Sequence, residues 1–417
     1  MKDHQRVDSA RAEQNTLGKI MEDNLILSMM LIYAVCITWS YGLARVFKPV
    51  FLEELSDKSR NSSMDGVRGF AAISVFLHHS VYSYNLYTYQ AWGPSTEVAG
   101  TVLEKYLWHL GSFSVSLFFM ITAYLFWRMV LMKRENMDWS GFYRNRIFRI
   151  VPLYVVIVCM VFAIFHVVYK GSGDSKFASS FIAWLGFGFL PLPSVNNYPA
   201  SWSIVAGVFW TLAIEWKFYL TLPFLALFAK SKASSGVSLF VAAAGMVALH
   251  KLGLMEHNKL AIASCFVLGA LAAHLSVYNS RAVSQIPRLA ATTVAILAFT
   301  YSLVRFGDVY KLKAEVVTFL FFFAVVECGA MKAIFSSMAM RFLGIISYSI
   351  YLCHGLVLTV INGFIVKNSG YLIPSASALL AVIGFSTALY LYVERPFIQI
   401  GKKQPVTWYA RRSSATL

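Results

Sequence analysis

Between Lys176 and Glu215 the chain carries no charged side chain, and similar apolar runs recur along its length. They fall at 24–45, 67–86, 111–131, 150–169, 206–229, 236–250, 259–278, 289–306, 314–331, 343–366 and 374–393. A helix crosses the hydrocarbon core of a bilayer with about 20 such residues. Continuous runs of this kind exclude a β-barrel, whose short strands alternate apolar and polar side chains. Soluble domains carry about 25% charged residues, whereas here only 13% are charged and 58% are hydrophobic. A disordered chain, a secreted disulfide framework and most soluble enzymes are excluded. The expected fold class is all-α, a polytopic transmembrane bundle of about eleven spans. A shorter run, Phe177 to Leu192, ends among Pro191, Pro193, Asn196, Asn197 and Pro199 and is expected to be a half-span or re-entrant segment.

The net charge is +16, from 36 Lys and Arg against 20 Asp and Glu. If 177–192 does not cross, the loops at 45–68, 128–149, 230–232, 281–288, 332–341 and 395–412 share one side and hold 22 Lys and Arg, against nine opposite. Basic loops face the cytoplasm, which accounts for the excess without nucleic acid and places the C-terminus there. Cys36, Cys159, Cys265, Cys328 and Cys353 lie in or beside apolar runs without paired spacing. They read as packing residues, and no metal site is expected. The run at 24–45 is too long for a signal peptide and reads as a retained helix. No internal repeat is visible.

Ionisable groups within spans are costly and mark function. Asp65-Gly66-Val67-Arg68-Gly69 leads into a run that contains His78-His79. Arg68 and His79 are eleven residues apart, which at ~100° per residue puts them about 20° from a common helix face and about 16 Å apart along it. Asp65 stands three residues before Arg68, within pairing reach. Bland readings are a snorkelling Arg and a hydrogen-bonded core His; the shared face favours a site. Glu215, in Trp210 to Tyr219, is either a structural ion-pair partner or part of that site, with Tyr219 one turn away. Ser347, Tyr351 and His354 form a polar stripe suited to a wet cavity or to helix–helix hydrogen bonds. Arg144, Arg146 and Arg149 precede a span, as a cytoplasmic anchor or as a patch for phosphates. His166, His250 and His274 have no such company and read as structural.

Together these clusters resemble acyltransferase family 3, integral-membrane acylases of bacterial surface glycans and other hydroxylated acceptors. The resemblance runs from about residue 60 to about 403. It comprises Asp65 to Gly69 with His79, Gly111 to Leu125, Arg144 to Pro152, Trp210 to Tyr219, Gly344 to His354, and Glu394-Arg395-Pro396. Thr122-Ala123 replaces the usual Ser-Gly, and Arg60 is five rather than four residues before Asp65. The resemblance divides the chain into an N-terminal tail with an extra helix (1–57), the acyltransferase membrane domain (58–403) and a basic cytoplasmic tail (404–417). It is similar to the stand-alone subgroup that lacks a C-terminal hydrolase-like domain.

What the resemblance implies is O-acyl transfer from acyl-CoA (acetyl-CoA) as donor substrate to a hydroxyl of a surface or lipid-linked polysaccharide, with no tightly bound cofactor; no activated nucleophile is evident from the spacing, which favours direct transfer over an acyl-enzyme. The expected catalytic residues are His79 as base, Arg68, Asp65 and Glu215. Arg144, Arg146 and Arg149 would hold the donor; Ser347, Tyr351, His354, Tyr219 and Trp210 would line the acceptor path. The expected location is the bacterial inner membrane, with lipids, acyl-CoA and glycan as partners and no nucleic acid. Two rival readings are a flippase of a lipid-linked glycan and a scaffold acting through Lys402, Lys403, Arg411 and Arg412.

Overall fold

A computed structural model describes residues 2–56, 61–94, 101–168, 176–196, 198, 200–306, 310–366 and 369–402, with side chains from residue 24 onward. Arg60, Asn197, Pro199, Lys403, Arg411, Arg412 and the rest of the basic tail lie outside the described residues. The described residues are 82% helical, with no strand among them. In order the helices are α1 (Lys2–Val46), α2 (Leu52–Ser56), α3 (Ser62–Tyr89), α4 (Val102–Lys133), α5 (Trp139–Val168), α6 (Phe177–Trp184), α7 (Trp210–Ala226), α8 (Lys232–Lys251), α9 (His257–Tyr278), α10 (Ser280–Ser284), α11 (Arg288–Arg305), α12 (Leu312–Val326), α13 (Lys332–Phe335), α14 (Met338–Ile345), α15 (Ser347–Val360), α16 (Leu372–Leu389) and α17 (Arg395–Lys402).

Every one of the eleven apolar runs contains a helix, and seven helices, in α1, α4, α5, α8, α9, α15 and α16, are long and apolar enough to cross a membrane. α7 and α12, with 17 and 15 residues, are shorter than a full crossing needs. α3 and α11 have the length but too much polar character. α6 has eight residues, about 12 Å of helix. Two runs are broken where continuous helix was expected. Run 206–229 begins as a turn, with Ala206 and Gly207 at φ 51° and 66°, and becomes helical at Trp210. Run 343–366 bends at Ile346, where α14 ends and α15 begins, and the Ser347 hydroxyl donates to the Gly344 carbonyl (2.9 Å) across the join.

α1 buries Met29, Ile32, Cys36, Ser40 and Ala44 at helical spacing and exposes Leu27, Met30 and Leu31. A helix apolar on both its packed and its outer face suits lipid. α3 starts at Asn61, whose side chain accepts from the Met64 amide (3.2 Å), satisfying one of the donors a helix start leaves open.

α3 and the α14–α15 pair run side by side in the same direction, a contact built on small residues. A Cβ on Gly66 would overlap the Phe335 backbone, and one on Gly344 the Asp65 backbone; a Cβ on Gly69 would lie 2.5 Å from the Met340 carbonyl oxygen. Small residues let membrane helices approach this closely. Further along, His79 meets His354 (2.9 Å) and Asn362 donates to Ser83 (2.9 Å), so the register of the two helices holds over their length.

Gly344→Ala should destabilise the protein by about 1–3 kcal/mol through overpacking, whereas Gly384→Ala, where a Cβ meets nothing within 4 Å, should leave the midpoint unchanged or raise it. Thermal unfolding of both variants in detergent micelles checks this pair.

Candidate functional site

A narrow cavity of about 100 Å³ opens among α3, α4, α5, α7 and α15. Its polar wall is Arg68 from α3, Arg146 and Arg149 from α5, Glu215 and Tyr219 from α7, and Ser347, Tyr348 and Tyr351 from α15. Its apolar wall is mainly α4, with Val115, Phe118, Phe119 and Leu125. Three guanidinium groups thus converge on a space that holds a few waters or a short chain.

Each polar group is held by named partners. Glu215 accepts from the Tyr219 hydroxyl at Oε2 (2.8 Å) and from the Thr122 hydroxyl at Oε1 (3.4 Å). Thr122, at the position of the departure from the usual Ser-Gly pair, therefore supplies a hydroxyl to the site. Asp65 pairs with Arg68 (3.7 Å), whose side chain remains 23% exposed. The Tyr351 and Thr211 hydroxyls share a hydrogen bond (3.0 Å), and the Tyr348 hydroxyl donates to the Ile150 carbonyl (2.8 Å). The Arg146 guanidinium lies 4.8 Å over the Phe126 ring, a cation–π contact.

One residue outside the expected set belongs to this frame. Glu394 is buried where α16 continues through a π-helical turn, Tyr390–Glu394. It pairs with Arg149 (Nη2 to Oε1, 3.3 Å) and accepts from the Ser349 hydroxyl at Oε2 (2.9 Å). It opens the Glu394-Arg395-Pro396 motif, so the sequence signal existed; its role was hidden because Arg149 lies 245 positions earlier in the chain. Next to it, Arg395 reaches back to Glu54 on α2 (2.9 Å).

Beyond the cavity, following α15 from Tyr351, lies a pair of imidazoles. His79 Nδ1 is 2.9 Å from His354 Nε2, with the rings stacked at 5.1 Å. His354 Nδ1 is 3.1 Å from the Ile350 carbonyl oxygen. A carbonyl only accepts, so His354 Nδ1 carries the hydrogen and, in the neutral ring, Nε2 is bare. His79 Nδ1 must then donate to it, which leaves the lone pair of His79 on Nε2. His354 is fully buried and His79 half-buried. The neighbouring His78 is used otherwise: its Nδ1 donates to the Leu107 carbonyl (2.7 Å), and its ring fills the space against Gly111 that a Cβ would occupy.

The expected residues thus divide. Arg68, Arg146, Arg149, Glu215, Tyr219, Ser347 and Tyr351 meet at the cavity; Asp65 stands behind Arg68, and His79 and His354 form the imidazole pair one turn of α15 further on. Two stand apart. Arg144 Nε donates to the Gly401 carbonyl (3.0 Å) at the end of α17. Trp210 faces a separate cleft and is 38% exposed. Its helix begins only at residue 210, so the motif's first residue falls outside the cavity that Thr211, Leu212 and Glu215 line. His274 bonds Ser235 (3.1 Å) and His250 the Met255 carbonyl (2.8 Å), as structural histidines do. Among the described residues no group of three or more His, Cys, Asp or Glu is arranged to hold a metal ion.

An acyltransferase-domain family model matches residues 61–393, most of the chain and all of the elements that build the cavity. Among curated proteins none matches, and among solved structures none does. The matched range runs from the cap of α3 to the residue before Glu394, and the chain belongs to acyltransferase family 3, as a helical membrane acyltransferase.

Proposed function

We propose that the protein transfers a short acyl group, acetyl, from acyl-CoA to a hydroxyl of a surface or lipid-linked polysaccharide, with His79 as general base. The observation that carries this reading is the hydrogen-bond chain from His79 to His354 to the Ile350 carbonyl. It supports a lone pair on His79 Nε2, one turn of α15 beyond the arginine-lined cavity, and acyl transfer needs a proton acceptor close to the reacting carbonyl.

In this mechanism Arg146 and Arg149 hold donor phosphates, because guanidinium forks match phosphate geometry. Glu394 fixes Arg149, and Arg144 is not part of the clamp. The pantetheine arm carries the thioester from the cavity toward His79. The acceptor oxygen attacks the carbonyl carbon while His79 Nε2 takes its proton. Arg68, on the same cavity wall and about 16 Å along α3 from His79, joins the donor clamp. The C–S bond then breaks, the ester forms, and the leaving thiolate receives the proton from His79. His354 accepts the Nδ1 hydrogen bond throughout and so steadies the imidazolium, as the third member of a triad does. Tyr351, Tyr219 and Ser347 line the arginine cavity, and so border the donor's end of the site. Transfer is direct, with no acyl-enzyme.

The donor side is assigned to the cytoplasm of the bacterial inner membrane, on the excess of basic residues in the loops of that side, with the C-terminus on the same side. The flippase reading has no need for an imidazole held in one tautomer, and membership of an acyltransferase family weighs against it.

Mass analysis of the host's surface glycans, with and without the gene, tests the reading. Acetyl esters should disappear with the gene and return with the wild-type copy; unchanged acetylation would overturn it. Arg146→Met and Arg149→Met should each raise the KM for acetyl-CoA about tenfold or more, as loss of a charged hydrogen-bond pair does, while Arg144→Met leaves it nearly unchanged; steady-state kinetics on membranes distinguish the three. His354→Ala should lower kcat by about 10- to 100-fold, less than the loss expected for a general base, without a matching rise in the donor KM.

A further inference from the structure

The segment joining α6 to α7 concentrates unusual backbone. Phe187, Asn196 and Ala206 have φ of 52°, 49° and 51°, and Gly188 and Gly207 have 74° and 66°. Non-glycine residues seldom adopt this region, and such conformations gather where a site is built. The segment is also pinned. Trp184 Nε1 donates to the Pro193 carbonyl (3.0 Å), Asn196 to the Phe165 carbonyl (3.0 Å), and the Val195 amide to the Ser201 hydroxyl (2.8 Å). On α15 it rests against Gly355, the residue after His354, where a Cβ would lie 2.5 Å from the Val205 backbone. Strained, tied backbone therefore sits directly beside the imidazole pair.

This segment and the start of α7 frame a cleft of about 510 Å³, walled by Phe189, Leu190, Pro191, Leu192, Trp202 and Trp210 with the backbones of Gly188 and Gly207 and the buried Phe209 beneath. No charged side chain lines it, so what it offers a ligand is aromatic and aliphatic faces and backbone groups. Trp202 is 37% exposed and supported from behind by Gly207, whose Cβ position is 3.3 Å from the ring. It meets Trp92 edge-on at 5.1 Å, and Trp92 lies over His79 at 6.2 Å. One ring, Trp92, thus separates the cleft's Trp202 from the base. Tryptophans also anchor proteins at membrane interfaces, but anchoring alone gives no reason for a strained, pinned loop around them.

The geometry points to this cleft as the acceptor subsite, where a pyranose ring of the glycan stacks on Trp202 while a neighbouring sugar of the same chain presents its hydroxyl to His79. A sugar ring has apolar C–H faces and a rim of hydroxyls, which fits aromatic walls with backbone partners. A phosphate finds no cation here, whereas the arginine cavity offers three. The inference rests on the acyl-transfer reading and adds the place and the part of the acceptor that is recognised.

The test uses the full-length protein in host-derived membranes, labelled acetyl-CoA, and glycan released from the same host by mild acid as added acceptor. Trp202→Ala should raise the KM for that glycan about tenfold, the scale of one lost aromatic contact, and Trp202→Phe should recover most of it. Binding of labelled acetyl-CoA to the purified variants should stay within about twofold of wild type, because the donor does not touch the cleft. Phe189→Ala, on the same wall and 48% exposed, serves if Trp202→Ala does not accumulate, and should raise the same KM about threefold. An unchanged glycan KM in both alanine variants, or a donor affinity that falls in step with it, overturns the assignment. If the wild-type protein binds acetyl-CoA but puts no label into glycan, the acyl-transfer reading itself fails, and the cleft assignment with it.

Discussion

A neutral imidazole can hold its lone pair on either nitrogen, and the choice is made by what the other nitrogen touches. Here the choice passes along two hydrogen bonds, from the Ile350 carbonyl through His354 to His79. The Ile350 carbonyl belongs to the backbone of α15, so its direction is fixed by the helix. His354 is fully buried and held in its rotamer by the packing around it. The chemistry assigned to His79 therefore depends on α3 and α15 keeping their register, and that register depends on Gly66, Gly69 and Gly344. The glycines of the Asp65 to Gly69 motif matter here for the side chains they lack, which let the backbone carrying Arg68 and His79 lie against its neighbour.

Arginines and aromatics are sorted along the same two helices. Following α15 from Ser347, the guanidinium cavity comes first, then the imidazole pair, then the loop that packs on Gly355. Following α7 in the chain direction the order reverses, from the aromatic cleft at Trp210 to the cavity at Glu215 and Tyr219. A charged donor and an uncharged acceptor would thus approach the base from its two ends. Glu394 contributes by keeping Arg149 at the cavity: a buried carboxylate with a guanidinium on one oxygen and a serine hydroxyl on the other leaves that arginine little freedom.

Much of this was legible in the sequence where it depends on local periodicity. Apolar runs locate the helices, because burial in lipid or in a helical core demands continuous apolar side chains. The common face of Arg68 and His79 is expected from 3.6 residues per turn; His79 touches His354 on α15, and Arg68 lines the cavity that α15 borders. Non-local geometry was not legible. Nothing in the spacing of His79 and His354 says that they touch across 275 positions. Arg144 looks equivalent to Arg146 and Arg149, yet a carbonyl at the end of α17 takes it away from the cavity. The breaks at Ile346 and at Ala206–Gly207 were missed because each lies inside an apolar run, where hydropathy does not register a change of backbone direction.

The claim that the rest depends on is that His79 Nε2 accepts the acceptor's proton. Its most direct measurement is single-turnover transfer of labelled acetyl in membranes carrying His79→Ala, with and without added imidazole. Transfer should fall by about 10²-fold or more, as expected for a lost general base, and should return in part when imidazole fills the vacated space. Transfer at the wild-type rate by the variant without imidazole would contradict the account.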